Sequence, residues 1–335
     1  MESELPMSYT HLTADERYHI DELLRQNLTQ ITIAKALGRS ASSISRELRR
    51  NKGKRGWRPQ QANAKAKEKL VIRGKANASK IDESAWAFAL EKLQNEQWSP
   101  EQINGKLKKD KLSTISHESI YQKILDDKRS GGNLYIHLRC KKKRKKRYGS
   151  KAAGRGCIPN RTDIDARPSI VDSRKRVGDW EGDTVIGSHN GGAVIATMVE
   201  RKSRFTVVSK AKDKTTKAVV DGIIEQMKPL SSLVETITFD NGKEFSSHHR
   251  LTEALESDIY FAKPYHSWER GLNENTNGLL RQYFPKKTNF DNIADLEFHR
   301  AAEKLNNRPR KCLGYFTPLE VFTKLAAKKG IALRI

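Results

Sequence analysis

The stretch from 180 to 281 opens with W-E-G-D-T-V-I at 180–186, passes through T-I-T-F-D-N-G-K-E-F at 236–245 and closes on R-G-L-N-E-N-T-N-G-L-L-R at 270–281. Asp183 lies inside an apolar, β-branched run, Asp240 directly follows another, and Glu274 falls in a segment that begins or carries a helix. Two strand-borne aspartates beside a helical glutamate make a site for two divalent cations. At a phosphodiester, one cation activates the attacking oxygen and the other stabilises the leaving oxygen. Hard Mg²⁺, with Mn²⁺ as its substitute, prefers carboxylate oxygen, and three carboxylates hold two ions with room left for phosphate and water. No Cys or His cluster with zinc spacing competes. Two rival carboxylates remain open on pattern alone. Glu181 shares a strand face with Asp183, and Glu269, separated from Asp240 by 28 residues, lies in loop composition.

The motifs around these residues resemble those of DDE transposases, most closely the IS30 family of bacterial insertion-sequence transposases. The resemblance is carried by G-D-W-E-G-D-T-V-I-G around Asp183, F-D-N-G-K-E-F around Asp240 and N-E-N-T-N-G-L-L-R-Q-Y-F-P around Glu274. Thirty-three residues separate Asp240 from Glu274, as the family's second and third acidic residues are spaced. The resemblance extends over nearly the whole chain. It implies an RNase H-like catalytic domain with Asp183, Asp240 and Glu274 as metal ligands, and it favours Asp183 over Glu181. It also makes Arg281, seven residues after Glu274, the basic residue of the same helix and a candidate DNA contact.

Working outward, charge divides the chain. Lys and Arg number 64 against 40 acidic residues, a net charge of +24. Residues 1–170 carry 37 basic and 19 acidic residues, whereas 171–335 carry 27 and 21. A basic front half before a nearly balanced back half points to polyanion-binding modules ahead of a folded domain. Cys140, Cys157 and Cys312 are too scattered for a disulfide framework or a structural zinc site and fit a reducing compartment. Neither a secretory signal nor an 18-residue apolar run is present, so the expected setting is the bacterial cytosol, on the nucleoid, with no membrane partner.

Thr13 and Glu16 form a capping box for a first helix anchored by Tyr18, Ile20, Leu23 and Leu24. Two short helices around Gly38, with Ile33, Leu37, Ile44 and Leu48 inward and Ala34 at the crossing, read as helix-turn-helix. The second, about 41–50, exposes Ser42, Ser43, Ser45, Arg46, Arg49 and Arg50 to DNA, with Arg46 the first choice for a base contact. Basic, loop-like sequence follows, with a short helix over 62–70, and Trp57 folds back onto the module. A second helical module carries Ser99, Pro100 and Gln102 as one helix start and Ser116 as another, and its His117 is a candidate DNA contact. It resembles the family's second helix-turn-helix region; the sequence leaves open whether it binds DNA or protein. Eight of the nine residues Arg139–Arg147 are basic, and Lys141, Lys142, Lys143 and Arg144 are expected to meet phosphate.

The expected organisation is therefore multidomain. An N-terminal helix-turn-helix domain spans 1–58 and a basic linker 59–79. A second helix-turn-helix-like module spans 80–128 and another basic linker 129–170. The α/β domain over 171–335 has a five-stranded mixed sheet of strands near 180–186, 193–199, 205–208, 233–239 and 259–262. In the C-terminal L-N-N-R-P-R-K-C the resemblance makes Arg308 and Arg310 candidate DNA contacts, while His248 and His249 read as surface residues. The function implied is a transposase that binds the terminal inverted repeats of an insertion element, cuts phosphodiesters and joins the 3′-hydroxyl to target DNA. Short recognition modules imply that it works as a homodimer or higher oligomer on double-stranded DNA. Two alternatives compete: a metal-dependent nuclease that never joins, and a DNA-binding regulator with a degenerate nuclease domain.

Overall fold

Helix starts follow the caps written in the sequence. Thr13 Oγ1 accepts from Glu16 N while Thr13 N donates to Glu16 Oε2, and α1 (Ala14–Arg25) begins there. Thr29 and Ser40 cap α2 (Gln30–Ala36) and α3 (Ala41–Arg50) in the same way, one side-chain oxygen taking one unpaired helical N–H. The computed structural model describes residues 11–78, 82–139, 158–188, 192–263 and 271–332. It divides into two units, Met1–Ile81 and Asp82–Ile335.

The first unit packs Ile20, Ile33, Ala34 and Ile44 into a small core, with Leu37, Leu48 and Trp57 against it. Each fully buried isoleucine contributes about 1.5–3 kcal/mol relative to exposure. Tyr18, expected to anchor α1, is instead exposed. Beneath α3 the buried Arg17–Glu47 pair (2.7 Å) ties α1 to the recognition helix. Where a short helix was expected within the linker, α4 (Pro59–Ala78) runs for 20 residues. It is held through Asn63, which accepts from Arg17, and through Lys65 and Lys69, which donate to the carbonyls of Lys52 and Arg50 at 2.6 Å. The α3 C-terminus attracts cations, and two lysines of an otherwise unpatterned helix supply them.

The second unit begins with α5 (Glu83–Gln94), α6 (Pro100–Lys109) and α7 (His117–Arg129), capped by Asp82, Ser99 and Ser116. After the short α8 (Ile170–Ser173) comes the sheet: β1 (Asp179–Ile186), β2 (Val194–Glu200) and β3 (Thr206–Ala211). Then α9 (Thr216–Met227) precedes β4 (Thr236–Phe239), and α10 (His248–Leu255) precedes β5 (Asp258–Phe261). Strand order is β3-β2-β1-β4-β5, with β1–β3 an antiparallel meander and β4 and β5 parallel to β1. This is the RNase H-like plan expected from the sequence. Helices α11 (Gly271–Tyr283), α12 (Asp295–Asn306) and α13 (Pro318–Lys328) complete it.

Alternation along β1 sends Trp180 to one face of the sheet and Glu181, Asp183 and Val185 to the other. Trp180 joins Phe239, Ile223, Met227 and Phe322 in the larger core. Val185 packs with Leu279, Leu280, Phe290 and Phe298 under α11 and α12. Gly182 fits because Phe239 lies against it: a Cβ there would stand 2.1 Å from the ring. The helices α5–α7 are fastened to the C-terminal region by Lys311–Glu101 (2.7 Å), Lys304 Nζ to Asn95 O (2.8 Å) and Arg308 to Glu96 O (3.4 Å). Gly105 of α6 admits the ring of Tyr315, 2.1 Å from where a Cβ would be.

Candidate active site

Parallel pairing of β1 with β4 runs Asp179↔Thr236, Trp180↔Ile237, Glu181↔Thr238. Continuing that register by two residues sets Asp183 opposite Asp240, which follows the last residue of β4. Neighbouring strands lie about 4.8 Å apart, so both aspartates belong to one end of the sheet and to the face covered by α11. Thr184 N donates to Asp183 Oδ1 at 2.9 Å and Asn277 Nδ2 to Asp183 Oδ2 at 2.8 Å. The other side of the Asn277 amide accepts from Thr197 Oγ1 at 3.0 Å, fastening α11 to β1 and β2 together. Glu274 is exposed in the first turn of α11, one turn before Asn277 and so on nearly the same helical face.

Asp240 Oδ1 accepts from Gly242 N at 2.9 Å. A Cβ on Gly242 would stand 2.8 Å from that oxygen and 2.7 Å from Glu244 Oε2, so glycine leaves space between two carboxylates. Glu244 is buried; its Oε1 accepts from Thr184 Oγ1 (2.7 Å) and pairs with Lys214 (3.1 Å). Glu244 stands four residues after Asp240 within the same motif, and only the fold turns it toward Thr184.

Among the described residues no three of His, Cys, Asp or Glu converge closely enough to hold a metal ion. Three carboxylates repel one another unless a cation lies between them. The donor set nevertheless suits one: Asp183 and Asp240 offer hard oxygen ligands oriented by neutral N–H donors, and the Gly242 space opens beside Asp240 Oδ1.

The rival Glu181 is fully buried and occupied. Its Oε1 pairs with Arg201 at 2.6 Å and its Oε2 accepts from Asn273 N at 3.2 Å. Glu269 and the basic residues Lys141, Lys142, Lys143 and Arg144 lie outside the described residues, as do Cys140 and Cys157. Arg281 donates to Ile186 O at the end of β1 and lies over the Phe290 ring; burial lowers its pKa. Arg308, 2% exposed, is bonded to Gln282 Oε1, Tyr283 Oη and Glu96 O, so the structure puts it inside the fold rather than on a DNA-facing surface. Arg310 is half-buried and donates to Leu305 O; burial and the neighbouring Arg308 charge pull its pKa down to about 10. His248 is half-buried with its ring edge-on to Phe261, and His249 is exposed. His117 is exposed at the first turn of α7.

In the first unit Ser42, Ser45, Arg46, Arg49 and Arg50 are exposed on α3, and Ser43 is half-buried beside the Ser40 cap. Arg46 is folded along its own helix, donating to Ser42 O and Ser42 Oγ at 2.9 Å. These are local bonds at an exposed site, readily exchanged for a guanine edge or a phosphate.

Comparison with known proteins meets this geometry at both ends. Residues 8–51 match the family model of a helix-turn-helix domain, and residues 174–267 match that of the integrase core domain. The transposase for insertion sequence element IS4351 of Bacteroides fragilis is 40% identical, over 96% of this chain and 98% of that protein. The chain belongs to the IS30 family of insertion-sequence transposases. Transposase InsI for element IS30A of Escherichia coli is 37% identical over 98% of this chain and 86% of that one, and the transposase for IS1086 of Cupriavidus metallidurans is 34% identical over 95% and 96%. The solved catalytic core domain of BIV integrase aligns with 46% of this chain and 99% of that one, at 21% identity and TM-score 0.36. As a family transposase the chain is a DNA-binding, DNA-cleaving and DNA-transferring enzyme, and integrase cores in general depend on divalent metal. No helix among the described residues is long and apolar enough to cross a membrane.

Proposed function

We propose that Asp183, Asp240 and Glu274 are the catalytic carboxylates, that they hold two Mg²⁺ ions, and that the chain cuts at the terminal inverted repeats of its element and joins the freed 3′-hydroxyl to target DNA. The observation that carries this reading is the shared β1–β4 register, which pairs the rows of Asp183 and Asp240, with Asn277 binding α11 to the same aspartate. Bound divalent cations supply activation of the attacking oxygen and stabilisation of the leaving oxygen. The protein's own part is placement. Asn277 and the Thr184 amide fix both oxygens of Asp183, Gly242 N fixes one of Asp240, and rigid strands keep the two in register. Hydrolysis leaves a 3′-hydroxyl, which then attacks a second phosphodiester, so cutting and joining need neither a covalent enzyme intermediate nor ATP.

The helix α3 reads the inverted repeat from the major groove, and the basic segment 139–147 follows phosphate. A homodimer or larger assembly holding two element ends, working in the bacterial cytosol, fits modules that each read only a few base pairs. The test uses end-labelled inverted-repeat duplex with the purified chain. Specific nicking that leaves a 3′-hydroxyl at the element end is expected in Mg²⁺ or Mn²⁺ and not in EDTA. Nicking unaffected by EDTA would remove the metal from the account.

Arg46→Ala tests the reading helix separately. It is expected to lower the preference for inverted-repeat over scrambled duplex by about 1–3 kcal/mol, while non-specific binding falls less. Titration of both duplexes by gel shift measures this, and equal losses on the two would assign Arg46 to the backbone.

A further inference from the structure

Beside the carboxylate-bearing strands runs a chain of charged groups that the catalytic reading does not use, buried at Glu181 and Arg201 and exposed at Asp172. Glu181, two residues before Asp183 on the same face of β1, pairs with Arg201 at 2.6 Å and accepts the backbone N–H of Asn273, the residue before Glu274, at 3.2 Å. Arg201 reaches on to Asp172 (3.4 Å). Asp172 also binds Arg167, whose other nitrogen donates to Thr238 Oγ1 at 2.9 Å, two residues before Asp240. Glu181 and Thr238 are themselves register partners. The network therefore touches all three carboxylate-bearing elements, in each case one or two residues from the carboxylate.

Its parts are firmly held. Arg201 N donates to Asp179 O at 2.8 Å, and the preceding Glu200 accepts from Gly178 N, Lys202 N, Ser203 N and Ser203 Oγ, which fixes the turn that presents Arg201. Glu181 is 0% exposed and Arg201 4%. A buried ion pair gives little stability over apolar residues of the same volume, so stability alone gives no reason for this one.

We propose that Glu181 and Arg201, extended by Asp172 and Arg167, are positioning residues that set the spacing of Asp183, Asp240 and Glu274 for metal. The inference rests on the reading of those three as the catalytic carboxylates. Partners that hold metal ligands in place typically govern metal affinity by about 10–100-fold. Glu181→Met with Arg201→Met removes the charges together and keeps the volume, so the full-length variant is expected to melt close to the unmodified chain. Its Mg²⁺ concentration for half-maximal cleavage of inverted-repeat DNA is expected to rise about tenfold or more, with cleavage at low Mg²⁺ falling in proportion and gel-shift affinity unchanged. Thr238→Val, an isosteric change that removes only Arg167's acceptor on β4, serves should the double variant fail to fold, and a smaller rise in the same quantity is expected.

Cleavage within threefold at every Mg²⁺ concentration overturns the proposal, and so does a uniform loss with an unchanged Mg²⁺ requirement. Asp183→Asn run alongside separates the two claims. If Asp183→Asn is inactive and the double variant is normal, only the positioning role falls. If Asp183→Asn cleaves normally, the reading of the carboxylates falls first.

Discussion

Asp183→Asn, Asp240→Asn and Glu274→Gln are each expected to abolish cleavage of inverted-repeat DNA in Mg²⁺, while affinity for that DNA changes little. The substitutions preserve shape and remove one negative charge from the proposed cation site. Charge stabilisation of a phosphodiester transition state by metal is worth several kcal/mol, and each 1.36 kcal/mol is about tenfold in rate, so losses of about a thousandfold or more follow. The helix-turn-helix domain lies in the other unit, Met1–Ile81, so affinity is expected to be spared. Denaturing gels of end-labelled DNA measure the first quantity and gel shift the second. Glu269→Gln is the matched control and is expected to remain active. Near-normal cleavage by any one of the three variants would remove that residue from the site.

Gly182→Ala is expected to damage stability and catalysis together. The added carbon would stand 2.1 Å from Phe239 Cε1, 2.5 Å from Cδ1 and 3.0 Å from Met198 Sδ, and Phe239 is fully buried, stacked on Phe245 at 4.2 Å. No flexible tip is available to move, so the strand or the ring must shift. Overpacking of this kind costs about 1–3 kcal/mol. In a unit of this size that lowers the melting temperature by about 2–4 °C per kcal/mol. Gly182 also stands between Glu181 and Asp183, so a shift of β1 moves a carboxylate, and misplacement by about 1 Å costs on the order of a hundredfold in rate. Calorimetry and the cleavage assay check the two effects. A variant that melts and cleaves normally would show that β1 has slack which the packing against Phe239 denies.

Short-range signals carried much of this into the sequence. The boxes at Thr13, Ser99 and Thr317 mark helix starts because both halves of each cap lie within four residues. The five strands show as β-branched runs, and their order follows from a meander succeeded by helix–strand alternation. By contrast, α12 begins after Ala294, which offers no side-chain cap, and α4 has almost no apolar stripe, so neither start is written locally. Attachment of α5–α7 to the C-terminal region was equally hidden, since Lys311–Glu101 and Arg308–Glu96 join residues more than 200 apart in sequence. The same holds within the site. Alternation puts Glu181 and Asp183 on one face, and only the fold shows that Glu181 meets Arg201 and the Asn273 amide while Asp183 meets Asn277. Arg308 reads as a basic residue in a polar run until Tyr283 and Gln282, brought round by α11, surround it.

The central claim, that one site both cuts element ends and joins them, is tested most directly by sequencing products. Purified chain is incubated with Mg²⁺, end-labelled inverted-repeat DNA and a plasmid target. The account predicts element ends covalently joined through their 3′-hydroxyls to target 5′-phosphates, absent from Asp183→Asn reactions. Specific nicks at the element ends with no joined product in Mg²⁺ or Mn²⁺ would contradict it and leave a nuclease.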